Sequence, residues 1–211
     1  MLETLNEQNL ESICKELARK DRHLAYVFET YGAPPLWDRE PTFATLIHII
    51  LEQQVSLASA LSAFNKLKEK TGGITPEKVL ELSDVEMKAC YFSRQKMGYA
   101  RDLANAIHEN RIDLEALNGL SDKDVTIKLK TIKGIGDWTA QVYLLMVMLR
   151  VDVMPRGDIA LHAACQKLMN LDKRPSSDEF VENAKKWAPY RSVAARLLWH
   201  FYLSTRNKDF T

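Results

Sequence analysis

A chain of 211 residues, 46% hydrophobic and 27% charged, has the composition of an ordinary globular protein and is long enough to bury a core. This composition excludes an intrinsically disordered chain, and no apolar run reaches the ~18 residues of a membrane-spanning helix. The net charge is +1, with a local −3 over residues 1–40 and a local +4 over the remainder, compatible with one mildly basic face.

The cysteines and the N-terminus indicate the compartment. Cys14, Cys90 and Cys165 are odd in number, lie far apart and form no CxxC pair. A zinc site or a cysteine-bound iron–sulfur cluster is therefore not expected. The first ten residues, MLETLNEQNL, do not have the pattern of a signal peptide. We therefore expect a cytoplasmic protein with reduced cysteines and no membrane association.

Helix signals dominate the chain, and period-2 strand patterns are scarce. The first strongly apolar helix, FATLIHIIL at residues 43–51, follows the linker-like stretch YGAPPLWDREP at residues 31–41. This helix is expected to break or bend near residues 52–55, and TGG at residues 71–73 predicts a sharp turn. Roughly ten or more helices with short connections imply an all-α fold.

Later helices are marked by their N-terminal signals. In four places a Ser or Thr stands where its side chain would cap a helix. These are Thr75 before Pro76, Ser83 with Glu86, Ser121 with Asp124, and Ser176 with Glu179. Further apolar helices are predicted over residues 138–149, 159–169 and 192–203.

The stretch TIKGIGDWTAQVYLL, residues 131–145, places Gly134 and Gly136 one residue apart between two helical patterns. Two glycines exceed what a connection between helices requires, and they suggest a backbone that another group approaches closely. The turn would present N–H groups at the N-terminus of the second helix, where a phosphate is favoured, and Lys133 could meet the same phosphate. Spacing alone leaves open an αα-hairpin whose glycines serve only packing.

Five blocks of sequence carry a resemblance. They are IILEQQVSLASA (49–60), FSRQKMGYARDLANAI (92–107), LKTIKGIGDWTAQVYLL (129–145), VMPRGDIALHAACQKL (153–168) and APYRSVAARLLWHFYL (188–203). In this order they are similar to blocks of the HhH–GPD superfamily of DNA glycosylases, in which a helix-hairpin-helix precedes a Pro-rich loop and an aspartate. Asp158 follows Gly136 by 22 residues, a distance similar to that of the catalytic aspartate in the family.

Within the superfamily, the chain most resembles the 3-methyladenine DNA glycosylase II branch, which removes alkylated purines. Bifunctional members place a lysine nucleophile where this chain has Trp138, so the resemblance implies a monofunctional enzyme without lyase activity. The lack of a four-cysteine cluster loop separates the chain from the endonuclease III and adenine-glycosylase branches. Two departures are expected to matter. The chain has no room for the N-terminal β-rich domain of some relatives, and Glu52 stands where relatives often have glycine.

The resemblance implies a fold of two helical lobes with the lesion pocket in a cleft between them. One lobe would combine residues 1–33 with residues 150–211 and carry Asp158. The other, residues 34–149, would end in the helix-hairpin-helix.

The resemblance also implies roles for individual side chains. A base inside a duplex must be flipped out, and the segment of Gln53 and Gln54 would supply the wedge that fills the vacated stack, by alignment through Gln54. Trp138 and Trp199 would form the base pocket, because an indole face attracts a cationic alkylpurine. Asp158 would stabilise the oxocarbenium-like sugar or orient water. Each role has a structural alternative: glutamines that cap a bent helix, tryptophans in a helical core, and an aspartate that only caps the next helix.

At the hairpin, the resemblance implies that Lys133, Gly134, Ile135 and Gly136 contact DNA. A monovalent cation, Na⁺ or K⁺, is expected on the backbone carbonyls of three residues of this turn, namely Lys130, Ile132 and Ile135. Ile132 and Ile135 would also anchor the turn in the core. No cofactor is required for the reaction, the expected partner is damaged double-stranded DNA, and a monomer is the default state.

Two rival functions stay open at this point. The first is an HhH–GPD glycosylase for another base, such as uracil, hypoxanthine or oxidised guanine. The second is a non-catalytic DNA-binding module that keeps the hairpin for its grip on the backbone. A metal-dependent nuclease is disfavoured, since no cluster of carboxylates or histidines has ligand spacing. His162 and His200 lie near the site in sequence, but we expect them to be helix-face residues.

Overall fold

The computed structural model describes residues 4–206, which form twelve α-helices and two short 3₁₀ helices. Within these residues the β pairing is limited to one antiparallel bridge between Thr4 and Arg150. The predicted all-α class is confirmed. In the same part of the chain, none of the helices combines the length and apolar character needed to cross a membrane.

The α-helices are short, between six and sixteen residues each. In chain order they are α1 (Glu7–Lys20), α2 (Arg22–Tyr31), α3 (Phe43–Glu52), α4 (Leu57–Thr71), α5 (Pro76–Glu81), α6 (Asp84–Ala89), α7 (Arg94–His108), α8 (Asp122–Leu129), α9 (Asp137–Met146), α10 (Ile159–Met169), α11 (Ser177–Ala184) and α12 (Arg191–Arg206). The 3₁₀ helices are Ala116–Gly119 and Lys185–Trp187.

Helix starts follow the capping signals in the sequence. Ser83 and Ser176 each form the complete capping box that was predicted, with the N3 glutamate reaching back to the cap backbone. Thr75 caps α5 with proline in its first turn, and Ser121 accepts from the N–H of Asp124 at the start of α8. These signals are local, which is why sequence alone located them.

The predicted end of α9 is wrong by three residues. The helix was expected to reach residue 149 but stops at Met146. Leu149 adopts a left-handed φ of +53°, which a helix does not allow. Its carbonyl accepts a hydrogen bond from Leu5 N at 2.7 Å, so pairing with the distant N-terminal segment takes the chain out of the helix.

The described fold divides into two compact units. The first combines Met1–Asp38 with Leu144–Thr211, and the second is Arg39–Tyr143. In the first unit α12 packs against α1, α2 and α10 around a buried apolar core. In the second unit α7 packs against α3, α5 and α6. The lobe limits expected from the sequence, 1–33 with 150–211 and 34–149, stay a prediction.

Candidate functional site

Asp158 lies in the first unit, at the N-cap of α10. Its Oδ1 accepts a hydrogen bond from the backbone N–H of Leu161 at 2.9 Å, and the residue is 8% exposed. A helix N-terminus stabilises a negative charge at this position. Asp158 therefore caps α10, and the capping hydrogen bond fixes the position of its carboxylate.

The side chain of Trp199 provides a second donor to the same carboxylate. Its Nε1–H donates to Asp158 Oδ1 at 3.2 Å, across 41 residues of chain. Trp199 is buried on α12, so the donor approaches from a different helix than the one that Asp158 caps. The sequence predicts a base-pocket role for Trp199, or a place in the helical core, and no sequence pattern indicates this hydrogen bond.

Trp37, in the linker before α3, is a second aromatic residue at this place. Its ring meets that of Trp199 edge-on, with 6.5 Å between ring centroids and 76° between planes. Trp37 is half-buried and has a left-handed φ of +49°, a conformation that is costly for a bulky side chain. The sequence of this stretch predicts only a linker, although a tryptophan two residues after Pro-Pro is a signal that could have identified it.

The buried guanidinium of Arg196 holds this linker in place. Its Nε donates to Leu36 O at 2.8 Å, and its Nη2 donates to Leu145 O at 2.8 Å. Burial lowers the pKa of Arg196 to about 10, against the opposing effect of the Asp38 carboxylate. The arginine stays charged at neutral pH and fixes the backbone next to Trp37.

The loop before Asp158 is attached to the start of α12. Asp152 accepts from Nε and Nη2 of Arg191 at 2.7 and 2.8 Å. Ser192 is fully buried and accepts from Val153 N at 2.9 Å. Burial alone would raise the pKa of Asp152, but the hydrogen bonds and charge of Arg191 outweigh it and lower that pKa. Helix α12 thus holds the loop before Asp158 through Arg191 and Ser192, and it holds Asp158 itself through Trp199.

His162 and His200 lie near this site, and each has contacts of its own. His162 follows Asp158 by one helical turn, is 6% exposed and packs on the ring of Phe180 at 4.6 Å. Burial lowers its pKa, although the Asp158 charge opposes the shift. A ring nitrogen of His200 pairs with Tyr31 O at 3.0 Å. The expected helix-face role of the two histidines stays a prediction.

In the second unit, α8, a tight turn and the part of α9 up to Tyr143 form the predicted hairpin. Ile132 and Ile135 are buried, as expected for residues that anchor the turn. Gly134 has a left-handed φ of +88°, and a Cβ built on it would lie 2.1–2.5 Å from ring atoms of Tyr99. The close approach to Gly134 therefore comes from within the protein, so for this glycine the packing explanation applies.

Gly136 differs from Gly134 in its backbone conformation and in its surroundings. Its φ is outside the left-handed region, and a Cβ built on it would meet no heavy atom of the described residues within 4 Å. It directly precedes α9, and its carbonyl accepts from Ala140 N at 3.0 Å, which places it at the N-cap. A glycine there provides no side-chain cap for the N–H groups of the first turn. Its backbone is open to an external group.

Charged groups surround the turn. The backbone N–H of Lys133 donates to Asp102 Oδ2 at 2.7 Å, so this amide is occupied, while the Lys133 side chain is exposed. Lys130 Nζ pairs with the Asp137 carboxylate at 2.5 Å in the first turn of α9. The predicted contribution of Lys133 to phosphate binding is therefore restricted to its ammonium group.

Gln53 and Gln54 directly follow α3 and differ from each other. Nε2 of Gln53 donates to Gly134 O and to Thr139 Oγ1, both at 2.9 Å. Gln54 is exposed and has a left-handed φ of +59°. Because the Gln53 amide is bound to the hairpin, we narrow the wedge prediction to Gln54.

The unusual Glu52 is neutralised within the same unit. Its carboxylate accepts from Nη1 and Nη2 of Arg39 at 3.0 and 2.8 Å, and His48 Nε2 lies 3.7 Å away. The Glu52 side chain is 7% exposed. The negative charge is therefore paired in a bidentate geometry instead of facing solvent.

A family model for the HhH-GPD superfamily of base excision DNA repair proteins matches residues 47–189. The chain belongs to this family. The matched region runs from α3 through the hairpin and Asp158 to the residues before α12.

Similar proteins in the family carry names that agree with one another. DNA-3-methyladenine glycosylase 1 of Schizosaccharomyces pombe is 27% identical over 222 residues, which cover 99% of this chain and 96% of that protein. A structure of the S. pombe 3-methyladenine DNA glycosylase with abasic DNA has a TM-score of 0.84 at 27% identity, covering 95% and 99% of the two chains. The crystal structure of DNA-3-methyladenine glycosidase from Bacillus halodurans has a TM-score of 0.72 at 26% identity, covering 99% and 95%.

Two predicted features of this HhH–GPD protein involve the hairpin itself. Trp138, the second residue of α9, is half-buried, and its base-pocket role stays a prediction. Of the three carbonyls expected to hold a monovalent cation, that of Ile132 accepts from Ile135 N at 3.1 Å. A carbonyl oxygen has a second lone pair, and such oxygens suit a hard cation, so the donor set fits Na⁺ or K⁺. Among residues 4–206, no three His, Cys, Asp or Glu side chains form a possible metal site.

Proposed function

We propose that this chain is a monofunctional DNA glycosylase of base excision repair that removes alkylated purines, of the 3-methyladenine and 7-methylguanine type. The observation that carries the proposal is the Asp158 carboxylate, held by Leu161 N and Trp199 Nε1. The family is one of base excision repair proteins, and similar relatives are named DNA-3-methyladenine glycosylases.

The reaction replaces the C1′–N bond to the base with a C1′–O bond to water. As the base leaves with the bonding electrons, positive charge develops on the sugar. A carboxylate that is already fixed stabilises this charge without reorganising, and it can orient the incoming water. Asp158 is such a carboxylate, because its Oδ1 receives two donors from different helices.

The aromatic residues suit a cationic substrate. Purines alkylated at N3 or N7 carry a positive charge, which an indole face attracts. Trp199 and Trp37, which meet edge-on in the first unit, and Trp138 on α9 are the side chains that we assign to base recognition. A cationic base is a good leaving group, so the mechanism needs no general acid.

DNA contact is assigned to the hairpin and the turn after α3. Gly136 would let a phosphate reach the N-terminus of α9, and the exposed Lys133 ammonium would add charge to the same contact. A Na⁺ or K⁺ ion on the carbonyls of Lys130, Ile132 and Ile135 would neutralise a phosphate nearby. The exposed Gln54 would fill the stack that the flipped nucleotide leaves. The partner is damaged duplex DNA, bound by a monomer.

The proposed activity is tested by incubating the protein with methylated duplex DNA and measuring released 3-methyladenine and 7-methylguanine by chromatography. We expect both bases to be released and the DNA strand to stay intact until the abasic sites are cleaved with alkali. Strand cleavage without alkali, or covalent trapping with borohydride, would contradict the monofunctional assignment.

Parallel duplexes with uracil, hypoxanthine or oxidised guanine distinguish the rival functions. Release of one of these bases without release of methylated purines would make the protein a glycosylase of different specificity. DNA binding without release of any base would favour the non-catalytic module.

A further inference from the structure

Three residues on one face of α7 contact the two segments that we assign to DNA. Lys96, Tyr99 and Asp102 follow one another at intervals of three residues, and all three are half-buried. Residues three apart on a helix are neighbours on its surface. All the contacts that follow lie within the second unit.

Lys96 holds the end of α3, directly before the turn that carries Gln54. Its Nζ donates to Leu51 O at 2.6 Å. The last carbonyls of a helix lack partners within the helix, and a lysine is a favourable donor to them. Burial lowers the pKa of Lys96, as expected for an ammonium group used inside the fold.

Tyr99 and Asp102 hold the hairpin. The ring of Tyr99 lies against Gly134 so closely that a Cβ would not fit. Asp102 Oδ2 accepts from Lys133 N at 2.7 Å, and Arg111 Nη2 lies 3.4 Å from its other carboxylate oxygen. The turn of the hairpin is thus fixed from α7 at two successive residues.

Gln53 connects the same two segments directly. Its side-chain amide has two N–H donors, and they reach Gly134 O and Thr139 Oγ1, both at 2.9 Å. Thr139 is 2% exposed, so one of the two acceptors belongs to a buried residue of the hairpin. The neighbouring Gln54 is exposed.

We infer that Gln53 is a positioning residue for nucleotide flipping. It fixes the turn that carries Gln54 to the hairpin, so that both segments act as one rigid body on DNA. The inference rests on the proposed function. If the turn that carries Gln54 could move away from the hairpin, Gln54 would displace the base from its stack less effectively while the hairpin held the DNA backbone. Loss of the Gln53 hydrogen bonds would slow flipping and leave the chemistry at Asp158 unchanged. The defect would therefore disappear for a lesion that is already unpaired.

The test compares single-turnover excision of 7-methylguanine from two duplexes. In one the lesion is paired with cytosine, and in the other it faces a tetrahydrofuran abasic analogue. Gln53→Met keeps the length of the side chain and removes both donors. Gln8→Met on the exposed side of α1 is the matched control. Thr139→Val removes a single acceptor and provides a second variant should Gln53→Met fold poorly.

We expect Gln53→Met to slow excision of the paired lesion roughly five- to thirtyfold and to leave the unpaired lesion within about twofold of wild type. Thr139→Val should show the same selectivity with a smaller effect. Equal slowing on both duplexes, or no slowing on either, would overturn the positioning role. If the wild type releases the base from neither duplex, the proposed function itself fails and this inference fails with it.

Discussion

Trp199 Nε1 and Leu161 N both donate to a single oxygen of Asp158, Oδ1, at 3.2 and 2.9 Å. One donor belongs to the helix that Asp158 caps, and the other comes from α12. The carboxylate is therefore fixed from two directions by groups that do not react. Helix α12 also holds the loop before Asp158, because Arg191 and Ser192 bind its first residues. The position of Asp158 therefore depends on this one helix at both ends of that loop.

The indole N–H of Trp199 should contribute to the rate of base excision. Trp199→Phe keeps an aromatic ring and removes the donor to Asp158. A hydrogen bond to a charged group contributes about 1.5–3 kcal/mol, so we expect single-turnover excision to slow roughly tenfold or more, with little change in DNA affinity.

A second Trp–Asp hydrogen bond provides the matched control. Trp187 Nε1 donates to Asp21 Oδ2 at 2.8 Å in the same unit. Trp187→Phe should lower the free energy of unfolding and leave the excision rate of the folded protein unchanged. If both variants slow excision equally, the bond to Asp158 has no special place in catalysis.

The two hairpin glycines should respond differently to alanine. Gly136→Ala places a methyl group in open space at a permitted φ, so thermal unfolding should change little while DNA affinity falls roughly tenfold, because a phosphate is kept away. Gly134→Ala should destabilise the fold by more than about 1 kcal/mol, because of its φ and the Tyr99 ring. DNA affinity that is unchanged in a folded Gly136→Ala protein would rule out phosphate binding at this glycine.

Gln54→Gly should separate stability from flipping. Gln54 has a left-handed φ of +59°, which costs a residue with a Cβ about 1 kcal/mol, and glycine removes that cost. We expect the free energy of unfolding to be unchanged or higher, and excision from a paired duplex to slow roughly tenfold. Asn110→Gly, at a φ of +56° in an exposed turn, is the control and should leave excision unchanged. Full activity of Gln54→Gly would assign the wedge to another residue.

The Asp152–Arg191 pair predicts a pH dependence of stability. The pKa of Asp152 is lowered from its ordinary 3.8, so its contribution is present above that value and is lost as the pH falls through the lower folded-state pKa. Asp152→Asn should lower the free energy of unfolding by about 1 kcal/mol at pH 7.

The difference between wild type and Asp152→Asn should shrink below about pH 4, as followed by urea unfolding across this range. Asp172→Asn, at an exposed position, is the control and should leave the pH profile unchanged. A difference that stays constant down to pH 2.5 would contradict an ionised Asp152 as its source.

Local signals gave most of the fold. The cap at Ser83 and the proline after Thr75 act within one helical turn, and both predicted helices are present. The prediction for α10 matches the structure at both ends, since Asp158 starts it and Asn170 in a left-handed conformation ends it. The end of α9 could not be predicted, because it is determined by pairing with Leu5, more than a hundred residues away in the chain.

The candidate site shows the same limit. Asp158 could be located because it belongs to a recognisable block and directly precedes a helix. Sequence alone could not predict the contact of Trp37 with Trp199, the hydrogen bonds of Gln53 or the pairing of Glu52 with Arg39. Each depends on which groups the fold brings together. The spacing of the two hairpin glycines does not distinguish one from the other, and the structure gives them separate surroundings.

The most direct test of the catalytic assignment is single-turnover excision of 7-methylguanine by Asp158→Asn, measured together with DNA affinity. Asparagine caps a helix as well as aspartate does, so the substitution removes the charge and keeps the cap on α10. We expect a rate at least about 100-fold below wild type, with DNA affinity and unfolding temperature close to wild type. A rate within a few-fold of wild type would contradict a catalytic Asp158 and leave it as the cap of α10 alone.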